Sequence, residues 1–547
     1  MRKKLLCALL ACLVVLTACT PKTAPSATGT VQNTLPTAAV IPEEEVVEIL
    51  LEDQNITLGG NVSDGEGAVC ISRDIVYYEN KTHYKSGNPY GEGSQADMHT
   101  AEEAAAHLVV NITRPGTYRL RGNLSLGQIR VDLGEDAKDD PDAVVNLILD
   151  GFSVRCDVAP AILFRNVYEC DGDRTEKNAT PNVDTAAAGA NLILAEGSEN
   201  TVHGSYVAKI YKDKDGEKKL WKQDGAVYSY MSMNIYGPGR LDIEAENEGL
   251  DTERHLTILD GDIRIRSGND GINTNEDGIS ITTILGGSLH IIAGLGEEGD
   301  GIDSNGYLVI RGGTVISSAH PASDAGLDSD LGSYIHGGTV IALGSPMDWA
   351  ESDSLQVTMN LQFSRNQTAG STILITRENG EVLFAYDPAR DEALGENARE
   401  FSGAVISCPA FTEGESCHVI LGAEIEGAQI LGVYDPTSAV SFTGGALQAY
   451  TSTDVMRGPG GIPPGGEHQR PQDGMVPPEG AGQRPEGERP EGERPEGPPQ
   501  GEVPEGQLPP GGFDNGYGQG NTVFYLQDKV NFFSGLTPAL EQTMPIP

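Results

Sequence analysis

Positive charge is what this chain has least of. Against 80 Asp and Glu residues it carries 37 Lys and Arg, a formal net charge of −43 at pH 7. Such a surface would repel phosphates, which excludes nucleic acid as a partner. It would also repel acidic glycans unless a cation or a local basic patch intervenes. Beyond the first residues no apolar run reaches 18 residues, so no later segment reads as a membrane span. There is no CxxC and no His-x-His cluster, which argues against zinc. No P-loop and no Gly-x-Ser-x-Gly occur, and the ten histidines are scattered without a visible nucleophile–base set. Gly294-x-Gly296-x-x-Gly299 has dinucleotide-fingerprint spacing, but no helix follows to cradle a phosphate. Strong helix signals are nearly missing too; the best is Ala101 to Leu108, a turn or two.

What is present begins with Met1-Arg2-Lys3-Lys4 and an apolar stretch from Leu5 to Leu16, the pattern of a signal peptide over residues 1–18. Leu16-Thr17-Ala18-Cys19 resembles a bacterial lipobox, which implies cleavage before Cys19 and diacylation of its thiol. The expected location is then extracytoplasmic, lipid-anchored at the cell membrane on the bacterial surface, with the lipid as the sole membrane contact. Export permits disulfides. Cys156 with Cys170 and Cys408 with Cys417 are the local options, leaving Cys70 odd.

Composition divides the remainder. Residues 19–45 are rich in Thr, Ala, Pro and Ser and read as a flexible tether. Residues 46–100 carry no assignable pattern. Residues 457–520 hold 14 prolines between Pro459 and Pro510 and a five-residue repeat beginning at Arg484, Arg489 and Arg494. That Pro/Gly/Glu-rich linker cannot bury a core and reads as disordered. Residues 521–547 include Val523-Phe-Tyr-Leu526 and Val530-Asn-Phe-Phe533, too apolar to stay solvated, so this tail should dock on the body.

The body repeats. Glu248-Gly-Leu-Asp-Thr252, Asp270-Gly-Ile-Asn-Thr274, Asp300-Gly-Ile-Asp-Ser304 and the variant Ala325-Gly-Leu-Asp-Ser329 start 22, 30 and 25 residues apart. Between them recur Gly261-Asp-Ile263, Gly286-Gly-Ser-Leu289, Gly312-Gly-Thr-Val315 and Gly337-Gly-Thr-Val340. A variable period near 25, short strands and no intervening helix mark a parallel β-helix whose coils bury apolar residues only by stacking. Leu250, Ile272, Ile302 and Leu327 should form one inward column, with Ile263/Ile265, Leu289/Ile291 and Val315 lining others. Earlier coils are expected around Asn111–Leu120, Val145–Gly151 and Asn191–Gly197. Thr372 to Tyr386, with a turn at Asn379-Gly380, reads as a hairpin. The expected architecture is all-β: a right-handed single-stranded parallel β-helix over 101–345, closed by an antiparallel β cap over 346–456.

Here a resemblance becomes specific. Pro115-Gly-Thr-Tyr-Arg-Leu120, Val145-Asn-Leu-Ile-Leu-Asp-Gly151, Asn191-Leu-Ile-Leu-Ala-Glu-Gly-Ser198, the Asp-Gly-Ile-Asp repeats with Gly-Gly-Thr-Val, and Gln367-Thr-Ala-Gly-Ser371 occur in that order. The order resembles the calcium-binding, carbohydrate-binding β-helix family of clostridial-type cell-surface proteins, over about Asn111 to Val440. The resemblance implies a pectate-lyase-like fold and binding of acidic sugar polymers such as polygalacturonate, and of cellulose, without demonstrated cleavage. Fold likeness to lyases does not itself imply activity.

Two clusters could carry chemistry. Stacking puts equivalent residues about 4.8 Å apart, where two carboxylates repel by roughly 3.5 kcal/mol at an effective dielectric of 20. One Ca2+ between coils would relieve this, since it takes oxygen ligands at about 2.3–2.6 Å. The candidate ligands are Glu248, Asp251, Asp270, Asn273, Asp300, Asp303, Asp324 and Asp328; the alternative is that these residues only shape turns. The second cluster, around an Asp215-Gly216 turn, offers Lys209, Lys212, Lys219 and Lys222 with Tyr211 and Trp221 to a glycan; alternatively it is a solvated hairpin. A monomeric binding module for acidic or cell-wall polysaccharide is the leading expectation. A calcium-dependent polysaccharide lyase, with Arg264 or Arg266 outward beside the ladder as base, and a structural or adhesive stalk are the alternatives.

Overall fold

Short apolar strands separated by glycine turns cannot hide their inner faces alone, and here they hide them by stacking parallel. The computed structural model describes residues 45–53, 55–59, 61–62, 67–78, 95–211, 219–296, 298–346, 348–391, 398–453 and 520–539. From Arg240 to Gly344 each turn of chain places one strand on each of three faces, and each strand pairs in parallel with the strand three positions later. One face stacks Arg240–Ala245, Asp262–Ser267, Ser288–Ile292, Thr314–Ser318 and Thr339–Gly344. A second stacks Leu256–Ile258, Ile281–Ile284, Tyr307–Ile310 and Ser333–Ile335.

The third face is a nine-stranded sheet. Its strands, in chain order, are β1 (Val69–Ser72), β2 (Leu108–Ile112), β3 (Gly127–Asp132), β4 (Ile162–Asn166), β5 (Gly225–Ser229), β6 (Glu248–Thr252), β7 (Ile272–Thr274), β8 (Ile302–Ser304) and β9 (Asp328–Ser329). β1 runs antiparallel to β2; every later neighbour is parallel. The two other faces also extend upstream, through Val145–Cys156, Ala190–Leu194 and Glu199–Gly204.

Val227, Leu250, Ile272 and Ile302 stack in register and are fully buried, and Leu327 is buried behind them. Burying each such side chain contributes roughly 1.5–3 kcal/mol. The glycine inside the five-residue repeat answers a different need from the turn glycines. A Cβ on Gly271 would stand 2.2 Å from Ile291 Cγ2 and 2.5 Å from the Gly301 carbonyl oxygen. Gly249 and Gly301 are as tightly enclosed. These positions are small because backbone and core side chains press on them. The second glycine of each Gly-Gly pair, by contrast, turns the chain with positive φ, +79° at Gly287 and +81° at Gly313.

Beyond Gly344 the direction of pairing changes. Thr339–Gly344 is flanked antiparallel by Phe401–Ser407, which pairs antiparallel with Thr358–Gln367. Ile373–Arg377 and Val382–Tyr386 form a hairpin beside Glu415–Glu426. Val530–Pro538 lies parallel to Thr358–Gln367. Tyr450, Phe524 and Phe533 meet with ring centroids 4.8–4.9 Å apart.

At the other end, Val46–Glu52 pairs in parallel with Gly116–Leu124. A helix α1 spans Ala101–Ala106, its N-terminus closed by Thr100 and Glu103 in a capping box. It stops two residues before the expected Leu108, because Leu108 already belongs to β2. Cys70, Cys156, Cys170, Cys408 and Cys417 are free thiols, so neither local pairing is formed.

Candidate functional site

The repeat folds its polar positions into two columns on the nine-stranded face. Strand register stacks Tyr228, Asp251, Asn273, Asp303 and Asp328 in one. Glu248, Asp270 and Asp300, each two residues before the inward Leu or Ile, form the other. Part of this second column serves the coil itself. The Asp300 N–H donates to Asp270 Oδ1 at 2.7 Å, the Ala325 N–H to Asp300 Oδ1 at 2.5 Å, and the Gly299 N–H to Asp324 Oδ2 at 3.0 Å. The two columns touch where Asn273 Nδ2 donates to Glu248 Oε1 at 3.2 Å.

These hydrogen bonds do not neutralise the carboxylates. Among the described residues no Lys or Arg lies within 4 Å of Asp270, Asp300, Asp303 or Asp328, and the ionisable partner of Asp324 is His320, at 3.7 Å. Burial and then Asp328 push Asp303 up to about 8. Burial, again with Asp328, pushes Asp300 up to about 7. Burial, Glu248 and Asp303 hold Asp270 well above the usual carboxylate range, and burial raises Asp328. The Asn273 side chain is 6% exposed, and its Oδ1 accepts no hydrogen bond. A buried oxygen left this way costs about 1–3 kcal/mol unless something else approaches it.

Seven of the eight ligand candidates thus share one connected face, with Asp324 at its rim. Two acids that sequence reasoning missed join them. Asp224 comes together with Glu248 and Asp251, their carboxylate oxygens all within 4.8 Å of one another. Its signal was faint: Val227 occupies the Leu250 column, which makes 224–228 a degenerate earlier coil. Asp348 lies past the last repeat, where no pattern could flag it. Burial and then Asp328 push it up to about 8.

The other candidates fall elsewhere. Arg264 and Arg266 stand on the strand Asp262–Ser267, which belongs to a different face from the ladder. Arg264 is tied to Asp262 at 2.9 Å, and Arg266 lies in register with Glu244 and Ile292. The lysine segment forms a two-stranded hairpin of its own. Val207–Tyr211, carrying Lys209 and Tyr211, runs antiparallel to Lys219–Gln223, carrying Lys219, Trp221 and Lys222. Lys212 and Cys19 lie outside the described residues.

One constellation was invisible in sequence. Ser288 Oγ meets His290 Nε2 at 2.9 Å, and His290 Nδ1 meets Asp391 Oδ2 at 3.3 Å. Tyr386 donates to the same Asp391 oxygen at 3.1 Å. The order resembles a nucleophile–base–acid relay. Ser288, however, stacks on Thr314 and then Thr339, so its hydroxyl belongs to the coil repeat. The trio works as a polar latch, holding the 388–391 turn to the coil beneath it.

Comparison with known proteins gives three likenesses. Residues 107–356 match the model of a family described as "Carbohydrate-binding domain-containing protein". A curated relative of the same description from Acetivibrio thermocellus is 29% identical over 159 residues, which are 29% of this chain and 45% of the relative. The chain therefore spans less than half the length of that relative. A solved structure described as the "polysaccharide lyase-like protein from C. thermocellum, Gadolinium derivative" aligns over 53% of this chain and 92% of its own. Its identity is 20% and its TM-score 0.31.

Proposed function

We propose that the coiled body is a non-catalytic polysaccharide-binding domain whose acidic ladder holds Ca2+, and that the ion offers coordination to carboxylates of an acidic glycan. Polysaccharide binding in general is supported by the family match over residues 107–356. The observation that carries the calcium reading is the uncompensated ladder. Asp270 is buried and Asp300, Asp303 and Asp328 half-buried on one face, with no Lys or Arg within 4 Å among the described residues, beside a buried Asn273 Oδ1 that lacks a partner. A hard divalent cation with oxygen ligands fits such a donor set, while softer metals would favour the Cys or His donors missing from it. One ion would be held by Asp224, Glu248 and Asp251, whose carboxylate oxygens lie within 4.8 Å of one another, and further ions between neighbouring rungs by Asn273, Asp303 and Asp328, with Asp348 as an additional donor. When bound, calcium supplies positive charge on a face that would otherwise repel uronates. The side chains position that charge in rows set by the coil spacing.

The same proposal takes the coil to be right-handed, the hand that parallel crossovers adopt in about 98% of cases. It also takes Cys19 to be lipidated, which would display the domain at the outer face of the membrane. A lyase would need a basic side chain beside the ladder. Arg264 and Arg266 belong to another face, and Arg254, which follows the ladder strand β6, is tied to Glu276 and to the Asp171 carbonyl, so the binding reading is preferred.

A glycan array read with and without calcium tests the proposal, followed by an absorbance assay for unsaturated uronate products. Calcium-dependent retention of acidic glycans without product is expected. Binding indifferent to calcium removes the ladder as the site, and product formation replaces binding by a lyase.

A further inference from the structure

Four successive strands of the nine-stranded face end at one open cleft of about 530 Å3. Lys138 follows β3, Tyr168 follows β4, Tyr230 follows β5 and Arg254 follows β6. The segment after β4 adds Glu169, Asp171 and Asp173 to the wall, and Asp139 sits beside Lys138. The cleft adjoins the ladder, because Tyr228, the register partner of Asp251, packs edge-on against Tyr230 with centroids 5.1 Å apart.

Its polar wall is fixed in advance. Glu169 accepts hydrogen bonds from the Ser232 N–H at 2.7 Å, the Ser232 hydroxyl at 2.9 Å and the Asp171 N–H at 2.9 Å. Arg254 donates to the Asp171 carbonyl at 2.6 Å and pairs with Glu276. Arg174 and the fully buried His255 hold the Asp171 carboxylate at 3.1 and 3.3 Å. A wall held by so many bonds meets a ligand without first having to be ordered.

Charge selects the ligand. Lys138 pairs with Asp139, Arg174 with Asp171 and Arg254 with Glu276, which leaves the carboxylates of Glu169 and Asp173 in excess and the wall net negative. A uronate would carry its charge into a negative surround. An uncharged sugar meets no such cost: its hydroxyls can donate to the carboxylates and accept from Lys138, while its apolar ring face suits Tyr168 and Tyr230. A volume near 500 Å3 lies within the ordinary range for small-ligand sites. We infer that this cleft is a calcium-independent subsite for one or two neutral sugar residues, distinct from the ladder. The inference rests on the polysaccharide-binding reading. Together the two sites would let the domain grip a glycan by its neutral and its acidic stretches.

Isothermal titration of the processed full chain with cello-, xylo- and manno-tetraose, in excess chelator, tests it. At least one neutral tetraose should bind in chelator, and Tyr168→Ala and Tyr230→Ala should each weaken it about tenfold or more. The pair Asp303→Asn with Asp328→Asn should leave it unchanged. If either tyrosine variant fails to fold, Lys138→Ala with Asp173→Asn, two exposed positions, serves in its place. No binding by any tetraose, or binding insensitive to the cleft variants, overturns the inference. A parallel titration with tetragalacturonate and calcium reads the ladder, so loss of one arm with retention of the other tells the two proposals apart.

Discussion

Removing calcium and raising the pH should destabilise this protein, and the ladder sets the size of the effect. In the folded chain burial and then the neighbouring Asp328 push Asp303 up to about 8, Asp300 up to about 7 and Asp348 up to about 8, against 3.8 for an ordinary aspartate. A folded pKa above the unfolded one means that the native state keeps protons the unfolded chain has released. The associated stability is therefore complete below pH 3.8 and is lost as the pH climbs through about 7 to 8. For Asp303 alone the difference corresponds to roughly 5 kcal/mol. Its neighbours share the same burial and repulsion, so their contributions do not add, and the whole ladder is worth a figure of that order. For a body of several hundred residues each kcal/mol moves the midpoint by about 1–2 °C. Between pH 5 and pH 8.5 the chelated protein should thus lose roughly 4–8 °C in Tm. Millimolar calcium at pH 8.5 should restore most of it, because the ion replaces the lost protons as countercharge. Calorimetric melts at both pH values, with chelator or calcium, provide the measurement. Asp303→Asn with Asp328→Asn should flatten the pH dependence and separate the ladder from the general repulsion of a chain at −43. A midpoint that stays level or rises with pH in chelator would refute the argument from burial and repulsion of the ladder carboxylates. A fall that calcium leaves untouched would refute the cation.

Three further outcomes are expected. Gly271→Ala should destabilise by about 1–3 kcal/mol or more, since its Cβ would overlap Ile291 and the Gly301 backbone; urea unfolding beside Gly172→Ala, where nothing lies within 4 Å, would show the contrast. His290→Ala should cost about 1–3 kcal/mol by removing one of the partners of the buried Asp391 and loosening the latch, and hydrogen exchange should show the 388–391 turn loosening first. Cys19→Ser should release the chain from membranes or block its processing; fractionation of a processed mutant with membrane would contradict a lipid anchor.

The parallel stacking could be read in advance because each rung has a local signature. Leu250, Ile272 and Ile302 announce an inward column by spacing alone, and Asp251, Asn273, Asp303 and Asp328 ride one residue behind it on the opposite side of the strand. What could not be read depends on partners far apart in sequence. Asp348 reaches the ladder from beyond the last repeat, and His290 finds Asp391 a hundred residues on. The cleft assembles Lys138, Tyr168, Tyr230 and Arg254 from four coils that share no motif. Sequence spacing also set Arg264 beside the acids, although the turn at Gly268 separates their strands and sends them to different faces.

The three-strand period turns the acidic face into a ruler. Each rung contributes a polar position to the first column, three of them also to the second, and advances the site by about 4.8 Å, while its core contacts involve only the rungs above and below. Duplicating some 25 residues within the repeat would lengthen the face by one unit without redesigning the interior. Removing a unit would shorten it. Reach along a polymer, and with it avidity, can therefore change in discrete steps through gain or loss of coils, leaving the chemistry of each rung as it was.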